Sequence, residues 1–170
     1  DHSVYPRYNL MYQRLITSRH FVPLLAGFGA MLCITALSSL GSAVQSSVWL
    51  MAPFGATMVI LFGLPESPLA QPRNIIVGHL LTTAIGLSVA TLVGVTPWTL
   101  GLAVGLAVSL MMLTNTIHPP AGANPLVVML AGEHWDFLLM PVAAGAVLIV
   151  VFGVLYHRVI SGKQYPKRWF

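Results

Sequence analysis

The chain has 170 residues, of which 56% are hydrophobic and only 7% are charged. Soluble domains carry about 25% charged residues, so this composition excludes a water-soluble globular domain. The length fits one domain, and the single cysteine, Cys33, excludes an internal disulfide. The net charge of +4 follows from the placement of the basic residues and does not indicate a nucleic-acid partner.

Six apolar segments predict an all-α fold, a polytopic membrane helix bundle. A helix needs about 20 apolar residues to span a bilayer. The first, third, fourth and sixth segments are long enough, whereas the second and fifth are short and open with a proline and glycine break. In chain order the segments cover residues 21–44, 49–64, 74–96, 98–117, 120–132 and 137–160. We predict one transmembrane domain over residues 21–160, between a cytoplasmic segment 1–20 and a basic cytoplasmic tail 161–170.

The charged residues favour six crossings. With six, every basic residue falls on one side of the membrane, while Glu133 and Asp136 fall on the other, as the positive-inside rule predicts. This pattern predicts a protein of the bacterial inner membrane with both termini cytoplasmic. The alternative has four crossings with re-entrant second and fifth segments, and it would place Arg73 outside. The basic residues are Arg7, Arg14, Arg19, Arg73, Arg158, Lys163, Lys167 and Arg168.

The two short segments are related by an internal repeat with an offset of 67 residues. The offset aligns Pro-Phe-Gly-Ala-Thr at 53–57 with Pro-Ala-Gly-Ala-Asn at 120–124. Repeats of about 21–87 and 88–160 would each contain three crossings, so the second copy would be inverted in the membrane. Inverted repeats with broken helices at equivalent places are typical of transporters.

The broken helices also indicate what such a transporter would bind. A helix start exposes free N–H groups and partial positive charge, and proline suits the first position because its missing N–H is not needed there. Two such starts approaching from opposite faces would bind an anion without a buried lysine or arginine. The alternative is that proline and glycine only kink crowded helices, which membrane proteins tolerate.

Several motifs resemble those of the HPP family of small integral membrane proteins. They are His118-Pro119-Pro120-Ala121-Gly122-Ala123, the stretch Ala52-Pro53-Phe54-Gly55-Ala56, Ser-Pro-Leu-Ala-Gln-Pro-Arg-Asn at 67–74, and Gly78-His79. The resemblance covers residues 21–160 and implies a nitrite transporter of a bacterial or plastid membrane. The family is often described with four spans, which differs from the six predicted here. Asn124 stands where the family pattern has threonine, and an amide can also bind an anion.

The candidate site residues lie at the two breaks and beside them. The candidate substrate-binding residues are Pro53, Phe54, Gly55, Ala56, Thr57, His79, Asn115, Thr116, His118, Pro119, Pro120, Ala121, Gly122, Ala123 and Asn124. The candidate access or gating residues are Gln71, Arg73 and Asn74. Histidine side chains ordinarily titrate near neutral pH, so we expect His118 to carry a proton or pair with an anion and to line a vestibule.

Structural alternatives remain for several of these residues. His118 can be a cap, and His79 can hold two helices together through a carbonyl. Arg73 can anchor the chain at the headgroups or pair with Glu66, and Asn74 can cap the third segment. Close helix packing is predicted at the glycines, with Gly101 and Gly105 also suited to a dimer face. The glycines concerned are Gly27, Gly78, Gly86, Gly94, Gly101, Gly105, Gly145 and Gly153.

The predicted function is a transporter or channel for a small monovalent anion, with nitrite the first candidate. Passive flow and proton coupling both remain open. The alternative is a non-transporting sensor or a subunit of a larger assembly. An enzyme and a cofactor are not predicted. A metal site is not predicted either, because the cluster of Glu133, His134 and Asp136 lacks a fourth ligand. The predicted partners are the anion, membrane lipid at the basic ends of the chain, and a second copy in a homo-oligomer.

Overall fold

The structure, a computed structural model, describes residues 18, 20–43 and 50–169, and within them the chain is helical and contains no strand. The α-helices are α1 (Phe21–Ala43), α2 (Ala52–Met58), α3 (Pro72–Val93), α4 (Pro97–Leu113), α5 (Asn124–Ala131) and α6 (Ala144–Tyr156). A π-helical turn, Val59–Gly63, extends α2, while Leu138–Ala143 and His157–Ser161 extend α6 at its two ends. Pro68–Ala70 and Pro119–Ala123 are 3-10 turns. The all-helical prediction is confirmed; the segment 1–20 lies almost wholly outside the described residues.

Three described helices are long and apolar enough to cross a membrane: Phe21–Ala43, Pro72–Val93 and Leu138–Ser161. The outer surface suits lipid, since large apolar side chains such as Leu92 are up to 82% exposed. The predicted fourth segment is too long, because α4 ends at Leu113 and the chain turns at Asn115, which has a positive φ of 54°. Ala52–Gly63 and α5 are shorter than the roughly 30 Å hydrocarbon core. The number of crossings therefore stays a prediction.

Both short helices begin near the middle of the bundle and point in opposite directions. We call the end where α3 starts the basic end, because Arg73, Lys167 and Arg168 lie there. α3 runs away from it, and α5 runs beside α3 in the same direction. α2 and its π turn run toward the basic end, alongside α6.

Glycines of one repeat make room for the broken segment of the other. A Cβ at Gly78 would lie 3.7 Å from the Cβ of Ala121, and a Cβ at Gly145 would overlap the ring of Phe54. The offset of 67 residues converts Gly78 into Gly145 and Phe54 into Ala121. The two contacts are therefore one contact made twice, with the repeats exchanged.

A second pair of contacts follows the same rule. A Cβ at Gly86 would lie 2.7 Å from Val128 Cγ2, and a Cβ at Gly153 would lie 2.9 Å from Leu61 Cδ1. Gly86 corresponds to Gly153 and Leu61 to Val128 at the same offset. Reciprocal contacts of this kind are what a two-fold relation between inverted repeats produces. They support the repeat independently of its sequence identity.

The packing prediction does not hold within one protomer for the other glycines, and a dimer face at Gly101 and Gly105 stays a prediction. At Gly27, Gly94, Gly101 and Gly105, an added Cβ would have no atom of a neighbouring described element within 4 Å. Gly94 instead ends α3 with a positive φ of 89°, a conformation that favours glycine. Sequence spacing cannot separate these glycines from those that touch a neighbouring helix, because spacing does not say which face is covered.

Gly86→Ala is expected to destabilise the protein by about 1–3 kcal/mol, because overpacking in a tight contact forces backbone or rotamer shifts. The added methyl would lie 2.7 Å from the Pro125 Cα, which belongs to the backbone and cannot turn away. Gly101→Ala is the matched control, since its position on α4 is open. Unfolding of detergent-solubilised protein by a denaturing detergent measures both. Equal stability of the two variants would contradict the close contact between α3 and α5.

Candidate functional site

Five buried polar side chains meet where the first turns of the two broken segments reach α3. We call them the polar cluster: Thr57, His79, Thr83, His118 and Asn124. Each is at most 1% exposed. Polar groups in so apolar a bundle are costly unless they are hydrogen-bonded, and such groups in membrane segments mark functional sites by default.

Thr57 connects the two histidines of the cluster. Its Oγ1 lies 2.9 Å from His118 Nε2 and 3.0 Å from His79 Nε2. The centroids of the two imidazole rings are 5.0 Å apart. Pro53 lies in the first turn of α2, one turn before Thr57, and Phe54 packs its ring against His79 at a centroid distance of 5.2 Å. The break in the second segment therefore places one hydroxyl between two rings.

Asn124 holds the other nitrogen of His79. Its Nδ2 lies 3.0 Å and its Oδ1 3.3 Å from His79 Nδ1. Nδ2 also donates to Thr83 Oγ1 at 3.0 Å, so Asn124 ties α5 to α3. Thr57 and Asn124 are equivalent positions of the repeat. Side chains from equivalent positions of the two repeats thus contact the two nitrogens of His79.

The histidines of the polar cluster are not repeated at the equivalent positions of the other repeat. At the offset of 67 residues, His79 corresponds to Ala146 and His118 to Met51. Both counterparts are buried and apolar. The path from the basic end to His79 is therefore polar, whereas the equivalent path from the opposite end is apolar.

His118 lies just behind the wall of a cavity. Its Nδ1 donates to the Leu69 carbonyl at 2.8 Å, and Leu69 itself lines the cavity. Gly78 leaves room for the ring, because a Cβ there would lie 3.0 Å from the His118 Cβ. His118 itself therefore does not line the cavity, contrary to the expectation that it lines a vestibule.

The cavity has a volume of about 680 Å³ and lies at the basic end. Three basic side chains and one acidic side chain line it: Arg73, Lys167, Arg168 and Glu66. The predicted access residues Gln71, Arg73 and Asn74 all line it, as does Asn115. A surplus of positive charge in a concave site raises the local concentration of anions.

The C-terminal tail forms one wall of this cavity. Gln71 Oε1 accepts from the backbone N–H groups of Lys167, at 2.8 Å, and Arg168, at 3.2 Å. The Tyr165 hydroxyl donates to the Ala70 carbonyl at 2.9 Å, and burial raises the pKa of Tyr165, so the hydroxyl stays a neutral donor. Sequence analysis assigned these basic residues to lipid and missed their place in the cavity, since no local pattern shows where a tail folds back.

Two predictions about the start of α3 are wrong. Asn74 does not cap the helix, which has no side-chain cap. Instead, the Asn74 side chain donates to the Ile117 carbonyl at 2.8 Å. Arg73 does not pair with Glu66 but donates to the Thr114 carbonyl at 2.8 Å. Glu66 pairs with Lys167 at 3.3 Å instead. The first turn of α3 therefore fastens the chain that leads into the fifth segment.

The remaining candidates divide by burial. Pro53, Phe54, Pro120 and Ala121 are buried and pack around the cluster, and Thr116 is buried beside it, bonded to Thr114 at 2.7 Å. The structure does not bring the other small residues into the cluster. Gly55, Ala56, Pro119 and Ala123 are exposed and Gly122 is half-buried, on the outward sides of the broken segments.

Thr57→Val is expected to destabilise the protein by about 1–3 kcal/mol, because it leaves ring nitrogens of buried histidines without a partner. Thr91→Val is the matched control. Both hydroxyls bond the carbonyl four residues back in their own helix, but only Thr57 also contacts the histidines. Denaturing-detergent titration compares the two. A loss no larger for Thr57→Val than for Thr91→Val would show that the bridge carries no stability.

Comparison with known proteins agrees with this architecture. The family model for the HPP transmembrane region matches residues 15–166. One transmembrane protein of Dictyostelium discoideum is 36% identical over 129 residues, which is 71% of this chain and 45% of that protein. Another from the same organism is 32% identical over 154 residues, which is 86% of this chain and 50% of that protein. No solved structure gives a significant match.

The chain spans about half the length of these curated relatives. The family match, in contrast, covers nearly the whole chain and includes both broken segments and α3, whereas the tail residues that line the cavity, Lys167, Arg168 and Trp169, lie just beyond it. The chain belongs to the HPP family of transmembrane proteins.

Proposed function

We propose that this protein moves a small monovalent anion across the membrane, with nitrite the first candidate, and that the anion passes from the basic cavity to the polar cluster. One observation carries the proposal: a cavity with surplus positive charge is lined by Leu69, and behind Leu69 lies a buried polar cluster to which both broken segments contribute. The basic end would face the cytoplasm of a bacterial cell, as the positive-inside rule predicts.

The charges of the cavity favour an anion. Lys167 pairs with Glu66, so Arg73 and Arg168 supply the surplus positive charge. Arg73 is tied to a backbone carbonyl, which holds its guanidinium at the mouth of the path without neutralising it. Anions would therefore collect where the tail and the start of α3 meet.

The polar cluster offers neutral hydrogen-bond donors. The Thr57 hydroxyl, the Asn124 amide and the imidazole N–H groups carry no fixed charge, and each has a partner in this state. An anion would reach them only by replacing some of these partners. Neutral donors match one negative charge better than two, because a divalent anion would remain uncompensated in a site of low dielectric constant. The anion is expected to be small because the broken segments pack closely.

The arrangement of the helices favours transport over a static role. Inverted repeats with half-length helices starting near mid-membrane are the pattern in which one repeat moves against the other around a central site. A sensor or assembly subunit needs neither a path nor a two-fold related pair of breaks.

The exposed small residues Gly55, Ala56 and Ala123 leave room for a second copy beside the breaks.

Nitrite uptake into liposomes that carry the purified protein tests the proposal, with formate, nitrate and chloride as comparison anions. We expect saturable nitrite uptake above that of protein-free liposomes. Absence of uptake for every anion, with and without a proton gradient, would reject transport and favour the sensor or subunit role.

Arg168→Gln is expected to raise the half-saturating nitrite concentration about fivefold at low salt, because one unit charge a few ångströms away is worth about 1 kcal/mol in water. The effect should shrink at high salt. Arg158→Gln is the control, since Arg158 is also an exposed arginine but does not line the cavity. Equal shifts for both variants would argue against the cavity as the access route.

A further inference from the structure

A continuous chain of hydrogen bonds leads from the cavity wall to the centre of the molecule. It runs from the Leu69 carbonyl to His118 at 2.8 Å, to Thr57 at 2.9 Å, to His79 at 3.0 Å and to Asn124 at 3.0 Å. Each inner member can both donate and accept a hydrogen bond. Chains of this kind can transfer protons as well as hold side chains.

The neutral chain has a definite direction. The Leu69 carbonyl can only accept, so His118 Nδ1 carries a hydrogen and Nε2 is bare in the neutral ring. The single Thr57 hydroxyl hydrogen has two acceptors within reach, the Pro53 carbonyl at 3.1 Å and His118 Nε2 at 2.9 Å. In the chain it donates to His118 Nε2, and His79 Nε2–H donates to Thr57. His79 Nδ1 is left bare and accepts from the Asn124 amide.

The same atoms also fit one additional proton. With His118 as imidazolium, its Nε2–H donates to Thr57, whose hydroxyl now donates to His79 Nε2. His79 Nδ1–H then faces Asn124 Oδ1, which lies 3.3 Å away. Asn124 can serve both arrangements because both ends of its amide lie within reach of the same nitrogen.

No hydrogen bond or ion pair among the described residues joins a charged side chain to either ring. α2 contributes Phe54 and Thr57 to the surroundings of the rings, α5 contributes Asn124, and α6 packs the apolar Ala146 nearby. The charged groups on the cavity side are Glu66, Arg73, Lys167 and Arg168. Glu133 and Asp136 lie beyond α5, toward the opposite end. Any net charge on the chain must therefore come from a proton or an anion.

Toward the opposite end, the positions that correspond to the polar cluster in the other repeat are apolar. The repeat counterparts of His118, His79 and Thr83 are Met51, Ala146 and Val150, all buried. A bare anion entering such a region pays a large desolvation penalty, and neutralisation by a proton removes it.

We propose that the chain from His118 to His79 delivers a proton to the anion, so that the substrates are the anions of small weak acids and cross the apolar half as neutral acids. This inference rests on the proposed transport function and names its substrate class. Nitrite and formate accept a proton readily, whereas nitrate and chloride do not.

The proton transfer balances in four steps. Hydronium in the cavity gives a proton to His118 once the hydrogen bond to Leu69 opens, and water is left behind. With His79 carrying its hydrogen on Nδ1, His118 Nε2–H then breaks as a Thr57 O–H forms, and the former Thr57 O–H breaks as a His79 Nε2–H forms. The resulting imidazolium of His79 gives its Nδ1 hydrogen to an anion oxygen, and the N–H electron pair stays on the ring. His79 then turns so that a bare nitrogen again faces Thr57, the reset that a one-way chain requires.

The test compares four anions in liposomes containing the wild-type protein and an internal pH dye. We expect nitrite and formate to enter with acidification above that of protein-free liposomes, and nitrate and chloride to enter at least tenfold more slowly. An imposed potential of roughly 100 mV would shift accumulation of a single unaccompanied charge about 50-fold. It should leave nitrite uptake unchanged.

Thr57→Val is expected to reduce nitrite uptake at least tenfold, and Thr57→Ser, which keeps the hydroxyl, to restore it. Thr91→Val serves as the control. Nitrate uptake as fast as nitrite uptake, or uptake that follows the potential, would overturn the proton inference but leave anion transport standing. Full, acidifying uptake by Thr57→Val would overturn it too. Absence of uptake for all four anions would instead reject the proposed function itself.

Discussion

The hydroxyl of Thr57 is the constraint on which the rest of the structure depends. It lies between the nitrogens of two histidines that the sequence separates by the rest of α3, the whole of α4 and a turn. For the hydroxyl to be there, α2 has to start in the middle of the bundle. For His118 to meet it, the fifth segment has to begin at the same depth. Because buried imidazoles are costly without partners, the cluster fixes where both breaks occur and holds them against α3.

The frame around this cluster is symmetric, but its chemistry is not. Reciprocal glycine contacts support two repeats arranged as inverted copies, and Thr57 and Asn124 occupy equivalent positions on either side of His79. The histidines themselves have the apolar counterparts Ala146 and Met51. In the proposed transport, the symmetric frame would permit one repeat to move against the other, and the asymmetric lining would make one half of the path polar and the other apolar. The symmetric frame and the asymmetric lining together support the proposed substrate class.

The charged groups near the proposed path lie in the cavity at the basic end. The tail, held by Gln71 and Tyr165, adds two basic residues to the start of α3. They stay at the surface, where water solvates them, and the interior uses neutral donors. In the proposed transport, attraction of the anion and its passage would be separate tasks. Lysine and arginine would attract the anion from a distance, and hydroxyl, amide and imidazole groups, whose hydrogen bonds can exchange, would contact it.

The sequence by itself determined the helical membrane fold, the positions of both breaks and the offset that relates them, because apolar runs, proline and the repeat are local patterns. It also selected Thr57, His79, His118 and Asn124 as candidates. Only the tertiary structure decided that these four form one hydrogen-bonded cluster, that Gly86 packs closely whereas Gly101 does not, and that the tail folds back onto Gln71. Asn74 and Arg73 likewise found carbonyl partners more than forty residues away. Those outcomes depend on which helix faces meet, and a linear pattern does not record contacts between distant parts of the chain.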